Sequence, residues 1–456
     1  INRLGGTSTQ TGYVTHASAV PTLTQTTAPA SSTTLNATGT WTQRGADIDG
    51  EGAGDLSGDG WGDAVSMSSD GSSLAIGAWR NDGGGWNSGH VRVYDWNGSS
   101  WVQRGSDIDG EAVGDWYGFS VALSQNKNTL VIGAPLNDDA GNSAGHTRVF
   151  DWNGSSWVQR GSDIDGEQSN NYFGRSVSIS NDGNTLAIGA DANDGAAGTN
   201  SGHVRVYDWN GSSWVQRGSD IDGEAAGDGS GSSVSMSFDG STIAVGAVDN
   251  YNASGTKPGH VRVFDWNGSS WVQRGSNIDG EAAGDRSGFS VSMNSDGSTL
   301  TIGAYLNEGA PGPNSGHVRV YDWNGSSWVQ RGSDIDGERA GDLSGHSVSS
   351  SISGSTIAIT APRSDSDNGL NSGHVRVFDW PTTTTYIAGV SQLDFNDLNL
   401  VTGDRITIDI TDGTQVQGII GADGLDALLT IMASQIAAQT GLYGGASASS
   451  GVINIT

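Results

Sequence analysis

The chain has 456 residues, 72 of them glycine, no cysteine and a formal net charge of −29. Its only lysines are Lys127 and Lys257, so it offers no basic patch; this argues against nucleic acid and anionic membrane surfaces as partners. No apolar run reaches the roughly 18 residues of a bilayer span, so no membrane insertion is expected, and the absence of cysteine leaves the redox compartment open.

Residues 1–40 are rich in Thr, Ser and Ala, have no clear period, and read as an extended N-terminal arm or linker. The chain begins at Ile1 without a signal-peptide pattern, as expected of a processed or excised piece of a longer product.

From residue 41 to 380 the sequence repeats. HVRVYDWNGSSWVQRGSDIDGE stands unchanged at His90, His203 and His317, and edited copies start at His146 and His260. The tryptophan opening each WVQRG falls at Trp41, Trp101, Trp157, Trp214, Trp271 and Trp328, at spacings of 60, 56, 57, 57 and 57 residues. One unit predicts four short strands. In the unit around 300, Phe289, Val291 and Met293 alternate with serines, a period of two. A Ser-Asp-Gly-Ser turn leads to Leu300–Ala304, and His317–Trp323 is the third strand. Asn324-Gly325 turns it into Trp328–Arg331, because Asn-Gly supplies the positive φ of a tight hairpin. The two tryptophans flanking the turn are placed to stack across the strand pair.

Four antiparallel strands in about 57 residues make one propeller blade. The phase of the repeat predicts closure. The chain enters the array at Trp41 on a fourth strand and leaves after His374–Trp380 on a third, where Pro381 replaces the Asn-Gly turn. Trp41–Arg44 is therefore expected to complete the last blade. The predicted fold is all-β, a six-bladed β-propeller over 41–380 closed by the N-terminal strand, leaving no open edge.

Residues 381–456 are expected to form a small C-terminal α/β domain for docking or assembly. Arg405–Ile410 and Thr414–Ile420 read as strands and Val452–Thr456 as a final strand. Asp423 caps a predicted helix to Thr440, with Leu425, Leu428, Leu429, Met432 and Ile436 as its apolar stripe.

The units resemble the FG-GAP repeats of integrin-α-like propellers and of bacterial or phage surface proteins. The residues carrying the resemblance are Gly118-Phe119-Ser120-Val121, Gly288-Phe289-Ser290-Val291 and the Ile-Gly-Ala-Pro of Ile132–Pro135. The resemblance implies an extracellular, non-enzymatic propeller that binds partners on one face, with calcium in its loops.

The acidic runs are the metal candidates. Asp107, Asp109, Glu111 and Asp115 stand at offsets 1, 3, 5 and 9, as do Asp220, Asp222, Glu224 and Asp228, and Asp334, Asp336, Glu338 and Asp342. Calcium loops favour oxygen ligands at such offsets. Here glycine comes at position 4 rather than 6; the other reading is a strand end with Ile buried and the acids exposed. Asp55, Ser57, Asp59 and Asp63 match better, with Gly60 at position 6.

The connections from strand two to three and from strand four to one should emerge together. They carry varied sequences on a constant frame, the usual arrangement of a binding face. Trp79, Trp86, Tyr251 and Tyr305 are the candidates there for stacking on a ligand. The opposite face carries near-identical turns and reads as structural or lateral. The six histidines His90, His146, His203, His260, His317 and His374 are too widely spaced round a ring to share a metal. Each is expected, with its neighbouring Arg, to bond within its own blade, and the Arg of QRG to do the same. Six copies of one unit supply no asymmetric catalytic site, and no enzymatic motif is present. The expected function is a non-catalytic surface module, located on a cell or virion surface, that holds glycan or protein on the variable loops. The alternative is a structural subunit of a surface appendage, contacting copies of itself or other appendage proteins through its terminal regions.

Overall fold

A computed structural model describes residues 44–46, 48–50, 64–251, 256–364 and 373–380, together with the strands 13–15, 392–394, 405–409, 415–419, 446–449 and 452–455. The chain divides into two compact units. One is Thr42–Trp380; the other joins Ile1–Trp41 with Pro381–Thr456.

The larger unit is a six-bladed β-propeller. Its second blade shows the plan: Ser120–Leu123, Thr129–Ala134, His146–Trp152 and Trp157–Gln159 pair in that order, all antiparallel. The third strand runs over the predicted residues in five blades, because a turn chemistry fixes its end. In Asn153-Gly-Ser-Ser the Asn153 Oδ1 accepts from the backbone N–H of Ser155 and Ser156, at 2.9 and 3.0 Å. Trp152 and Trp157 then face each other with ring centroids 5.4 Å apart, the expected cross-strand pair.

The acidic run turns out to continue the sheet. After Arg160-Gly161 bulges away, Ile164–Asp165 returns to pair with Thr147 and His146. Equivalent two-residue strands occur at Ile108–Asp109, Ile221–Asp222, Ile278–Asp279 and Ile335–Asp336.

The core lies between blades rather than within them. Val91 and Val93 of the first blade pack on Val121, Leu130 and Ile132 of the second, all fully or nearly fully buried. Each such side chain contributes about 1.5–3 kcal/mol by leaving water. The inner-strand serines tie neighbours together: Ser66, Ser178, Ser235 and Ser292 accept from the backbone N–H of Leu123, Met236, Met293 and Ser350. This explains the Ser/Val alternation; a small hydroxyl fits where the inner strands crowd the axis. The blades also meet backbone to backbone. A Cβ on Gly133 would lie 2.2 Å from the Gly174 carbonyl oxygen, so no other residue fits there without separating the blades.

The sixth blade shows three strands, Val348–Ser350, Thr356–Ala361 and His374–Asp379. Of the expected closing strand Trp41–Arg44 only Arg44 lies within the described residues, and it makes the contact of its counterparts in other blades. The carbonyl of Arg44 accepts from Trp101 Nε1 at 2.9 Å, as Arg104, Arg160, Arg217 and Arg274 do from the tryptophan of the following blade.

In the smaller unit Arg405–Asp409 and Gln415–Ile419 form the expected antiparallel pair. Tyr13–Thr15 adds a third strand against Arg405–Thr407, so part of the predicted arm belongs to a sheet. Gln392–Asp394, Val452–Ile455 and Ala446–Ser449 form another. The predicted helix from Asp423 to Thr440 lies outside the described residues.

Candidate functional site

The two-to-three and four-to-one loops meet at one end of the blades, here called the upper face. They are joined by main-chain hydrogen bonds: Gly114 donates to Trp86, Trp116 to Asn87 and Asn170 to Asn142. Buried side chains fix the loops further. Asn137 Nδ2 donates to Asp115 at 3.0 Å, and its Oδ1 accepts from the Asp139 N–H. Asn307 and Asp285 repeat the first contact. Burial pushes the Asp115 carboxyl above the usual carboxylate range, although Asn137 pulls the other way.

Of the four aromatic candidates, two are displayed. Trp86 is 69% exposed and Tyr251 49%. Lys257 Nζ sits 4.6 Å from the Tyr251 ring. Trp79 and Tyr305 are buried and do not offer a stacking surface. Trp79 packs on Trp116, with centroids 4.6 Å apart, and Tyr305 on Phe289, at 4.4 Å. The Tyr305 hydroxyl accepts from Arg286 at 2.9 Å. In both cases a second aromatic from the adjoining four-to-one connection covers the ring. The residue after the last acidic position is one that the repeat pattern left unread. It is Trp116, Tyr172, Gly229, Arg286 and Leu343 in successive units, and in all five the backbone has positive φ. The signal was available: this position differs among all five of these units.

The four acids of one run do not converge on a point. Asp115, Asp228 and Asp342 are buried; Asp115 is held by Asn137 of the next two-to-three loop, while Asp228 and Asp342 bind within their own loops. Asp228 accepts from the N–H of Glu224 and Ala225, and Asp342 from that of Arg339. Asp107 accepts from Arg92 and Gln103, Asp220 from Arg205 and Gln216, and Asp334 from Gln330. Burial raises the Asp220 pKa, but Arg205 outweighs it and holds the carboxyl low. Asp109, Asp222 and Asp336 lie on the short returning strands, while Glu111, Glu224 and Glu338 turn toward the next blade. The loop containing Asp55, Ser57, Asp59 and Asp63 lies outside the described residues.

What the fold does gather is histidine with carboxylates, in several cases from two blades. His90 meets Asp107 and Asp109; His203 meets Glu167 and Asp220; His317 meets Glu281 and Asp334; and His146 meets Glu111, Asp139 and Asp163. The expectation that each histidine bonds within its own blade therefore holds only in part. Glu167 and Glu281 reach forward from the preceding unit, and His260 likewise lies 3.8 Å from Glu224. Burial pushes His146 and His203 down to about 4 and His260 to about 3, so these rings are neutral near pH 7. The QRG arginines also cross blades. Arg160 stacks 4.7 Å from the Trp209 ring and donates to the Gly183 carbonyl, both in the next blade, while remaining 3.5 Å from Asp151 in its own. A cleft of about 580 Å³ lies beside this stack, lined by Asn128, Thr129, Asp151, Trp152, Arg160 and Trp209. No helix among the described residues is long and apolar enough to cross a membrane.

Comparison with known proteins adds a match over part of the chain. The FG-GAP repeat model matches residues 107–150 and 163–207. No curated protein matches the chain at a significant level. Among solved structures, a provisionally assigned 6-phosphogluconolactonase of Bacteroides uniformis is similar at 10% identity, covering 69% of this chain and 80% of that one, with a TM-score of 0.48. The periplasmic gluconolactonase PpgL of Pseudomonas aeruginosa is similar at 15% identity, covering 70% and 88%, with a TM-score of 0.44.

Proposed function

We propose that this chain, an FG-GAP-like β-propeller repeat protein, is a non-catalytic recognition module of a cell or virion surface that holds a glycan or a protein on its upper face. The observation that carries the reading is the division of the molecule into a constant frame and a variable upper surface. That surface displays Trp86 beside Val113, which is 62% exposed, and Tyr251 beside Lys257. Exposed aromatics on a rigid support stack on sugar rings or anchor a protein partner at little entropic cost. The binding reading is preferred to catalysis because the lower clefts spend their carboxylates on structure. Asp151 lies 2.9 Å from the Thr129 hydroxyl, which donates to it, and 3.5 Å from Arg160.

The test is a glycan and surface-protein array probed with the purified chain and with Trp86→Ala and Tyr251→Ala. Binding that is lost or weakened in either variant supports the proposal; no binding, or binding indifferent to both, sinks it. Calcium at Asp55, Ser57, Asp59 and Asp63 belongs to the reading on sequence grounds alone, and a melting temperature unmoved by adding calcium to chelated protein would remove it. The appendage reading draws on a separate observation: residues near both ends of the chain, Tyr13–Thr15 and Arg405–Thr407, share one sheet outside the propeller. Antibody label in a regular array along a fibre or virion would favour it over a dispersed surface module.

A further inference from the structure

One junction carries an additional carboxylate. In the first, third and fifth blades the Asn-Asp or Asn-Glu that opens the two-to-three loop is followed by glycine, at Gly83, Gly195 and Gly309; in the second blade it is followed by Asp139. That carboxylate joins Glu111 from the first-to-second connection, His146 from the start of the third strand and Asp163 before the short strand. One ligand atom from each lies within 4.8 Å of the others. It is the only four-membered group of its kind among the described residues.

His146 supplies an independent sign. Its side chain is fully buried, and neither ring nitrogen has a hydrogen-bond partner. In the equivalent His260, Nδ1 lies 3.4 Å from Asn277 Nδ2 and only Nε2 lacks a partner. A buried imidazole with both nitrogens unsatisfied is costly unless something else engages it. The arginine beside it has also shifted. In the third blade Arg205 donates Nε and Nη2 to Asp220 at 3.0 and 2.9 Å. In the second, Arg148 gives the same two donors to the neutral Gln159 at 3.2 and 2.6 Å. It stays 3.3 Å from Glu111 and 3.5 Å from Asp163. Three carboxylates against one guanidinium leave two negative charges around an open-handed imidazole.

We propose that Glu111, Asp139, His146 and Asp163 bind one divalent cation of the manganese or zinc class at the junction of the first and second blades. Donors about 2.0–2.2 Å from such an ion stand roughly 3.0–3.6 Å apart in neighbouring positions and up to roughly 4.4 Å in opposite ones, so the four donors, now within 4.8 Å of one another, draw together on binding. One imidazole nitrogen among carboxylate oxygens suits these ions, whereas calcium takes oxygen ligands. The site differs from the acidic runs as read in sequence: it takes Glu111 from one run and Asp163 from the next.

The test uses the full chain stripped of metal and titrated with Mn²⁺, read by equilibrium dialysis and by pulsed electron paramagnetic resonance. The expected result is one tight site with nitrogen coupling from imidazole and a preference for Mn²⁺ over Ca²⁺. Asp139→Gly gives the second blade the residue found at this position in the third and fifth, at a position that needs no positive φ, so it should fold as the parent does. It should weaken Mn²⁺ binding at least about tenfold, since even outer-shell changes cost that much. Glu111→Gln, at a half-exposed position, should act in the same direction. Absence of a tight site, equal affinity in Asp139→Gly with its melting temperature unchanged, or absence of nitrogen coupling would each overturn the proposal.

Discussion

At the lower ends of the blades one set of contacts recurs. Arg104, Arg160, Arg217 and Arg274 each accept a tryptophan N–H on their carbonyl and lay their guanidinium over a tryptophan of the next blade. At the upper ends the main-chain zipper, the buried Asn–Asp pairs and the histidine–carboxylate groups repeat, while the side chains above them change from blade to blade. The lower contacts bind each blade to an almost identical neighbour, so any change there has to be accommodated by two blades. The upper side chains answer to the loops below them, and can vary without disturbing the ring. If this contrast is real, substitutions in the frame should cost stability and substitutions at the loop tips should cost binding.

The largest effect is expected where two backbones touch. Gly133→Val would drive a branched side chain into the Gly174 carbonyl, and should cost about 3 kcal/mol or more, or prevent folding, measured by urea unfolding. Next is a lower-end arginine. Arg160→Ala removes the Trp209 stack, the bond to Gly183 and the Asp151 partner, and should cost about 2 kcal/mol. An upper arginine should be cheaper. Arg286 is more exposed and holds chiefly the Tyr305 hydroxyl, so Arg286→Ala should cost no more than about 1 kcal/mol. Equal losses at the two arginines would break the comparison.

The frame was legible because its signals are local. The Asn-Gly turn, the flanking tryptophans and the period of two all act within about ten residues, and His317–Trp323 follows from them directly. The site was less legible because its contacts join residues a full unit apart. Trp157 Nε1 meets Arg104 across 53 positions, and nothing in either copy says that the partner sits in the neighbour. The histidines show this best. Equivalent histidines are kept apart by the ring, and the repeat does not show that Glu111 carries a carboxylate forward to His146. Trp79 and Tyr305 were misplaced for a related reason: their covers, Trp116 and Phe289, lie on different connections. The Asp55–Asp63 loop lies outside the described residues, so sequence is all that speaks for it.

The buried histidines make the frame sensitive to acid. His203 is neutral in the fold down to about pH 4, while the unfolded chain takes up its proton near 6.5. Between those values the unfolded state binds more protons, so stability falls as pH falls. From pH 7 to pH 5 this one residue should account for about 1–2 kcal/mol of the loss. His203→Gln, which cannot titrate, should flatten that part of the pH dependence, read as unfolding free energy at the two values. A slope unchanged in the variant would mean that the ring is not held neutral.

The smallest change in stability is expected at Trp86, and there the contrast is sharpest. Its backbone is pinned through the Gly114 N–H, which donates to its carbonyl, so the loop keeps its course when the side chain is cut. The indole is mostly exposed, with Val113 exposed beside it, and little burial is lost in Trp86→Ala. Unfolding free energy should therefore move by less than about 0.5 kcal/mol. Binding should respond differently, because a tryptophan held on a rigid loop is the kind of residue that carries interface energy. If the upper face is the recognition surface, its loss should weaken binding by about 2 kcal/mol, or roughly thirtyfold in the dissociation constant. A variant that melts with the parent and binds thirtyfold more weakly places recognition on the upper loops. A variant that binds as the parent does moves the search to the tryptophan–arginine clefts at the other end of the blades, where Arg160→Ala already supplies the probe.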